Sequence, residues 1–209
     1  MEIFTDYRDV ERPRNEQDYY NRLLLHRRNV FKAFKTLIDN PATTITLDGV
    51  PVYNYADRIR NAVENHDASK FGDEEFDAYR VHWHPTTYER YLMTNDEDFE
   101  KKCDEEYEQA VLHHLSHNDH HPDFWCMGGV TDANPMNTME IRDMPIEAIL
   151  HMLCDWEGMS YENGGNTKIW WAENREKKSK KMSPKTIEIV DQLVAQFPDT
   201  VYKSVTDNK

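Results

Sequence analysis

Ten histidines occur in the 209 residues, and five of them, His113, His114, His117, His120 and His121, fall within nine positions. Imidazole titrates near neutral pH and is the commonest metal ligand. A run this dense can equally be a solvated polar stretch, so the weight rests on the other histidines and two acids. His26 comes three residues after Leu23 and four before Val30, on the apolar side of a helical period. His66 continues the line Tyr55, Ile59, Ala62/Val63 and is followed at once by Asp67. His114 continues Cys103, Tyr107 and Ala110, and Asp155 lies on the line Ala148, Met152, Met159. Alone, any one of these histidines reads as a hydrogen-bonded core residue. Together they put metal-competent side chains on inward faces of four helices. An uncompensated buried carboxylate is costly, so two such acids among three or more imidazoles point to a bound cation. Imidazole with carboxylate suits Fe, Mn, Zn or a similar ion, whereas Ca wants more oxygen.

The elements that must carry these residues read as helices. Apolar periodicity predicts helices over 15–38, 53–65, 73–83, 86–93, 98–117, about 145–160, 167–178 and 184–197. Asp143 is expected to cap the sixth, and Ser183-Pro184 to open the last. Thr43 to Tyr53 reads as a β-hairpin turning at Asp48-Gly49. Gly128 to Arg142 reads as a loop and Asn163 to Asn166 as a turn. The expected architecture is all-α with a small β-hairpin insertion: one domain over 1–209, with a core of about 15–197 and a flexible tail from 198.

Composition bounds the function. The net charge is -14, which argues against a general nucleic-acid binder, because phosphate contacts need a basic surface. Such acidity with few aliphatic residues borders on disorder. Eight Phe, five Trp and eleven Tyr offset it with large buriable area. No apolar run approaches the ~20 residues of a membrane span, and Met1 to Arg14 alternates acid and base where a leader would be apolar. Cys103, Cys126 and Cys154 are few and odd in number, which favours a reducing, cytoplasmic setting. Arg175 to Lys181 is the one strong basic run and reads as a solvated helix end.

The ordered set His26, His66-Asp67, His113 to His121, Asp155 resembles the HD-domain metal-dependent phosphohydrolases, whose ligands run H…HD…H…H…D over a helical bundle. His66-Asp67-Ala68-Ser69-Lys70-Phe71 is similar to the HDxGK variant of cyclic-dinucleotide phosphodiesterases, and His120-His121-Pro122-Asp123 to their HHE segment. The GYP tripeptide of those enzymes is absent after Gly128-Gly129, which argues against a cyclic-dinucleotide substrate. The whole pattern, HDxSKF, then LHH…HH…W over Ala110 to Trp125, then Asp155-Trp156, most resembles an uncharacterised HD-like family of bacteria and phages.

That resemblance implies an HD-like bundle and a metal-dependent phosphohydrolase acting on a nucleotide or other small phosphate ester through metal-activated water. His26, His66, Asp67 and Asp155 would hold one ion. Asp67 would bridge to a second, held by His114 and either His120 or His121. The implied cofactor is a divalent metal, two ions of Mn, Fe, Zn or Mg. Asp67 is then central to catalysis, and Lys70 would contact the substrate's phosphate. His151, one turn before Asp155, is placed to orient ligands. Two rival readings remain: an HD-type di-iron oxygenase, and a catalytically idle protein that binds a nucleotide or a partner.

Overall fold

The structure is a computed structural model and describes residues 7–126 and 140–204. Its described residues form eight α-helices: α1 (Tyr7–Leu37), α2 (Ala56–Glu64), α3 (Phe76–Trp83), α4 (Thr87–Asn95), α5 (Glu97–His117), α6 (Ile146–Asn163), α7 (Thr167–Ser179) and α8 (Pro184–Val194). One antiparallel pair, β1 (Thr46–Leu47) with β2 (Val50–Pro51), is the only sheet among them. The fold is therefore all-α with a small hairpin. Asp48 and Gly49 both take positive φ (50° and 80°), as a two-residue hairpin turn of right-handed twist requires. No helix of the described residues is long and apolar enough to cross a membrane.

The chain divides into two compact units that interleave in sequence. The first comprises Met1–Leu25 and Asp67–His117. Its core is Tyr19, Leu23, Tyr79 and Ala110, flanked by Phe71, Phe76 and Tyr107. α1 starts eight residues before the expected Asn15 and runs through Pro13. Proline removes one helical hydrogen bond, and the residues on either side of it make long-range contacts. Asn15 Nδ2 donates to the carbonyls of His84 (3.0 Å) and Pro85 (2.9 Å), and Glu11 accepts from the Thr87 backbone (2.7 Å). α4 opens with a capping box between Thr86 and Glu89.

The second unit comprises His26–His66 and Asn118–Lys209. Its core joins Val30, Phe34 and Leu37 of α1 to Ile59 and Val63 of α2, Ile149, Met152 and Leu153 of α6, and Val190 and Leu193 of α8. α6 is capped by Pro145 and not by Asp143, whose carboxylate instead accepts from Ser183 Oγ at 2.6 Å. α6 also continues past Ser160 to Asn163. Asn166 caps α7, accepting from the backbones of Lys168 and Ile169. Of the expected loop 128–142, residues 128–139 lie outside the described residues, and Ile141 pairs with Cys126. Beyond Pro198 the chain is still held at Tyr202. Its backbone bridges Gly165 in both directions (3.0 and 2.7 Å), and its hydroxyl donates to buried Glu157 at 2.8 Å. Residues 205–209 lie outside the described residues.

Candidate metal centre

In the second unit, His26, His66 and Asp155 meet at one point. α1 presents His26 and α6 presents Asp155. The two helices come close because Gly158, three residues after Asp155, leaves room for the α1 backbone. A Cβ there would lie 2.9 Å from the Val30 nitrogen. His66 sits differently from the sequence expectation. α2 ends at Glu64 with Asn65 as C-cap, so His66 lies just beyond the helix, its N–H donating to Val63 O at 3.2 Å. Leaving the helix still turns the ring inward, with 1% of the residue exposed.

His26 Nε2 lies 3.0 Å from His66 Nε2 and 3.1 Å from Asp155 Oδ1, and His66 Nε2 lies 3.6 Å from the same oxygen. Ligands about 2.1 Å from one ion are about 3.0 Å apart at octahedral angles and about 3.4 Å apart at tetrahedral ones. The observed triangle therefore suits a single ion. Burial pushes the Asp155 pKa up, but the hydrogen bond from His26 and the positive field of His66, His26 and His120 outweigh it. The carboxyl is held well below its ordinary range.

The hydrogen bonds of the imidazoles are compatible with the same reading. His26 Nδ1–H donates to Glu162 Oε1 at 2.8 Å, a partner that can only accept when ionised. Nε2 then either carries a second proton, donated to Asp155 by a cationic ring, or on a neutral ring holds a lone pair that faces that carboxylate. Two acceptors at 3.1 Å need positive charge between them, a proton or a metal ion. Glu162 stands seven residues after Asp155, on the same helical face, and only the extension of α6 to Asn163 brings it to His26.

A second buried group adjoins through His66, comprising His66, His120 and His151, whose ligand atoms lie within 4.8 Å of one another. His66 Nδ1 is 3.0 Å from His151 Nε2. The His120 ring centroid lies 4.6 Å from that of His66 and 4.4 Å from that of His151. His121 is the extended N-cap of a short 3-10 turn, Pro122–Trp125, with its ring 4.2 Å from His120. α5 stops at His117, so His121 lies beyond that helix.

In the first unit, Asp67 and His114 come together, with Oδ1 3.3 Å from Nε2. Asp67 takes a left-handed backbone (φ 53°, ψ 31°), which its short polar side chain tolerates. His114 Nδ1 is 3.0 Å from Glu75 Oε2 and 3.2 Å from Ser69 Oγ, and His113 Nδ1 is 2.7 Å from Glu75 Oε1. Glu75 is fully buried. Burial alone would raise its pKa; the hydrogen bonds from His114 and His113 reverse this and hold it below the ordinary value. Nothing in the local pattern marks Glu75, one acid in the run Asp73-Glu74-Glu75; packing alone selects it. Lys70 Nζ donates to Asp67 Oδ2 at 2.7 Å.

The two units thus repeat one motif, an imidazole whose Nδ1 is tied to a carboxylate and whose Nε2 faces another. Buried histidine and carboxylate groups of this kind can hold a metal ion. No curated protein and no solved structure matches the chain. Over residues 15–196 it matches the model of a family of unknown function, DUF5662, and the chain belongs to that family.

Proposed function

We propose that the chain is a metal-dependent phosphohydrolase of the HD-domain type, acting on a nucleotide or another small phosphate ester with water as nucleophile. The observation that carries this reading is the triangle of His26 Nε2, His66 Nε2 and Asp155 Oδ1, with edges of 3.0, 3.1 and 3.6 Å. Its residues follow the chain order of the HD ligands. His26, His66 and Asp155 would hold one divalent ion. A second is proposed on Asp67 and His114. Two nitrogens and one oxygen in the first set favour Mn, Fe or Zn over Ca. Such an ion, when bound, supplies Lewis acidity toward a phosphoryl oxygen and makes a water acidic near neutral pH. The chain's own groups do the rest. Asp155 stays ionised, Glu162 fixes the His26 ring, and Lys70 offers positive charge to the substrate's phosphate.

The test is metal analysis of the purified chain with a screen of phosphomonoesters, phosphodiesters and nucleotides. Hydrolysis that stops on chelation and returns with Mn, Fe or Zn is expected. A metal-loaded chain that hydrolyses none of them would overturn the assignment.

One observation favours a second reading. Around His66, imidazoles outnumber carboxylates, with His26, His120 and His151 all near it. A nitrogen-rich set holds iron well, and a di-iron oxygenase would consume dioxygen during turnover. An oxygen electrode separates the two.

A further inference from the structure

We propose that α6 carries, besides Asp155, two positioning residues, His151 and Glu162, that lock the ring tautomers of His66 and His26 so both present Nε2 to the ion. The inference rests on the metal-centre reading and assigns roles to residues that touch neither ion nor substrate. The spacing is helical: His151, Asp155 and Glu162 stand at intervals of four and seven, on one face of α6.

Each contact is made at Nδ1. Glu162 Oε1 lies 2.8 Å from His26 Nδ1, and His151 Nε2 lies 3.0 Å from His66 Nδ1. A neutral imidazole has one N–H and one lone pair. Donating Nδ1–H to Glu162 or to His151 leaves the lone pair on Nε2, the atom that faces Asp155 in both rings. A ring free to take either tautomer would offer the ion a lone pair only part of the time, and would have to be turned and fixed on binding. Outer-shell partners that remove this cost typically contribute about 10–100-fold in metal affinity.

The same three imidazoles could be read instead as an ion site of their own, since His66, His120 and His151 also cluster. His66 cannot serve both sites while neutral, because its single lone pair is taken on the Nε2 side. Two ions would require a doubly deprotonated ring. The tautomer lock needs one hydrogen bond across the 3.0 Å separation, with His66 Nδ1–H as the donor and His151 Nε2 as the acceptor.

The experiment is a cobalt(II) titration of the full chain and of His151→Ala, Glu162→Ala and Glu162→Gln, with melting temperatures of the metal-free proteins. The two alanine variants should bind about 10–100-fold more weakly with melting changed by a few degrees. Glu162→Gln should recover most of the affinity, because its amide oxygen accepts the same N–H. Long-range ¹⁵N spectra of the zinc-loaded chain should show Nδ1–H on both His26 and His66, a readout that a merely structural role would not move. Should His151→Ala fail to fold, the Glu162 pair and these spectra decide the matter. Alanine variants as tight as the parent would overturn the inference. So would a second cobalt ion per chain that His151→Ala removes. A parent chain that takes up no cobalt would overturn the metal-centre reading together with the lock, which separates that failure from the others.

Discussion

Gly158 on α6 meets Val30 on α1 so closely that any side chain carbon at position 158 would sit 2.9 Å from the Val30 nitrogen and 3.0 Å from its Cγ2. Val30 is one turn beyond His26, and Gly158 nearly one turn beyond Asp155. The missing side chain therefore sets the approach that leaves His26 Nε2 and Asp155 Oδ1 at 3.1 Å.

Gly158→Ala should accordingly do two things. The added methyl has backbone on one side and cannot be relieved by a rotamer change, so overpacking should cost about 1–3 kcal/mol. It should also weaken metal binding, since the helices part where the ligands meet. Urea denaturation and cobalt titration read the two effects. An unchanged midpoint together with unchanged affinity would contradict this account of the crossing.

The first unit makes a prediction of its own. Arg80 is fully buried; it donates twice to Glu89 (2.8 and 2.7 Å) and once to Asp77 (2.8 Å). Burial tends to raise the Glu89 pKa, but the hydrogen bonds from Arg80 and Thr86 outweigh it and place it below the ordinary 4.5. A carboxyl depressed in the folded state stabilises fully above about 4.5 and loses that contribution as pH falls through its folded value. Stability should thus decline below pH 4.5 more steeply in the parent than in Glu89→Gln. At neutral pH the variant should lose about 3–5 kcal/mol, because Arg80 is left buried beside a neutral amide. Equal pH profiles for the two proteins would refute this.

Much of the site was legible because helical periodicity carries it. His26 and Asp155 occupy the faces that the patterns around Leu23/Val30 and Ala148/Met152 assign them. Glu162 was equally readable from Asp155 plus seven, but only once α6 is known to run on to Asn163. His66 reaches its place by leaving its helix, and the point where α2 ends depends on packing. Asp48-Gly49 announced the hairpin because the turn demands those residue types locally. The start of α1 at Tyr7 is not legible locally, since the contacts that hold Glu11 and Asn15 come from residues about seventy positions away.

Asp67 and Lys70 can be separated by substitution. Asp67→Asn keeps a residue type that tolerates the left-handed backbone and removes the charge, so hydrolysis should be lost while the fold persists. Lys70→Ala should retain bound metal and weaken hydrolysis about 10-fold or more, the effect of one charge-assisted contact. Steady-state kinetics with metal content measured alongside reads both. Full activity in Lys70→Ala would confine that lysine to its ion pair with Asp67. Full activity in Asp67→Asn would remove Asp67 from the chemistry.

An ion held by His26, His66 and Asp155 is open to direct observation. Anomalous scattering from crystals of the chain soaked with manganese or zinc tests it most directly. A peak bonded to His26 Nε2, His66 Nε2 and Asp155 at about 2.0–2.3 Å is expected. Saturated crystals with no peak among these three atoms, or with those side chains turned apart, would contradict it.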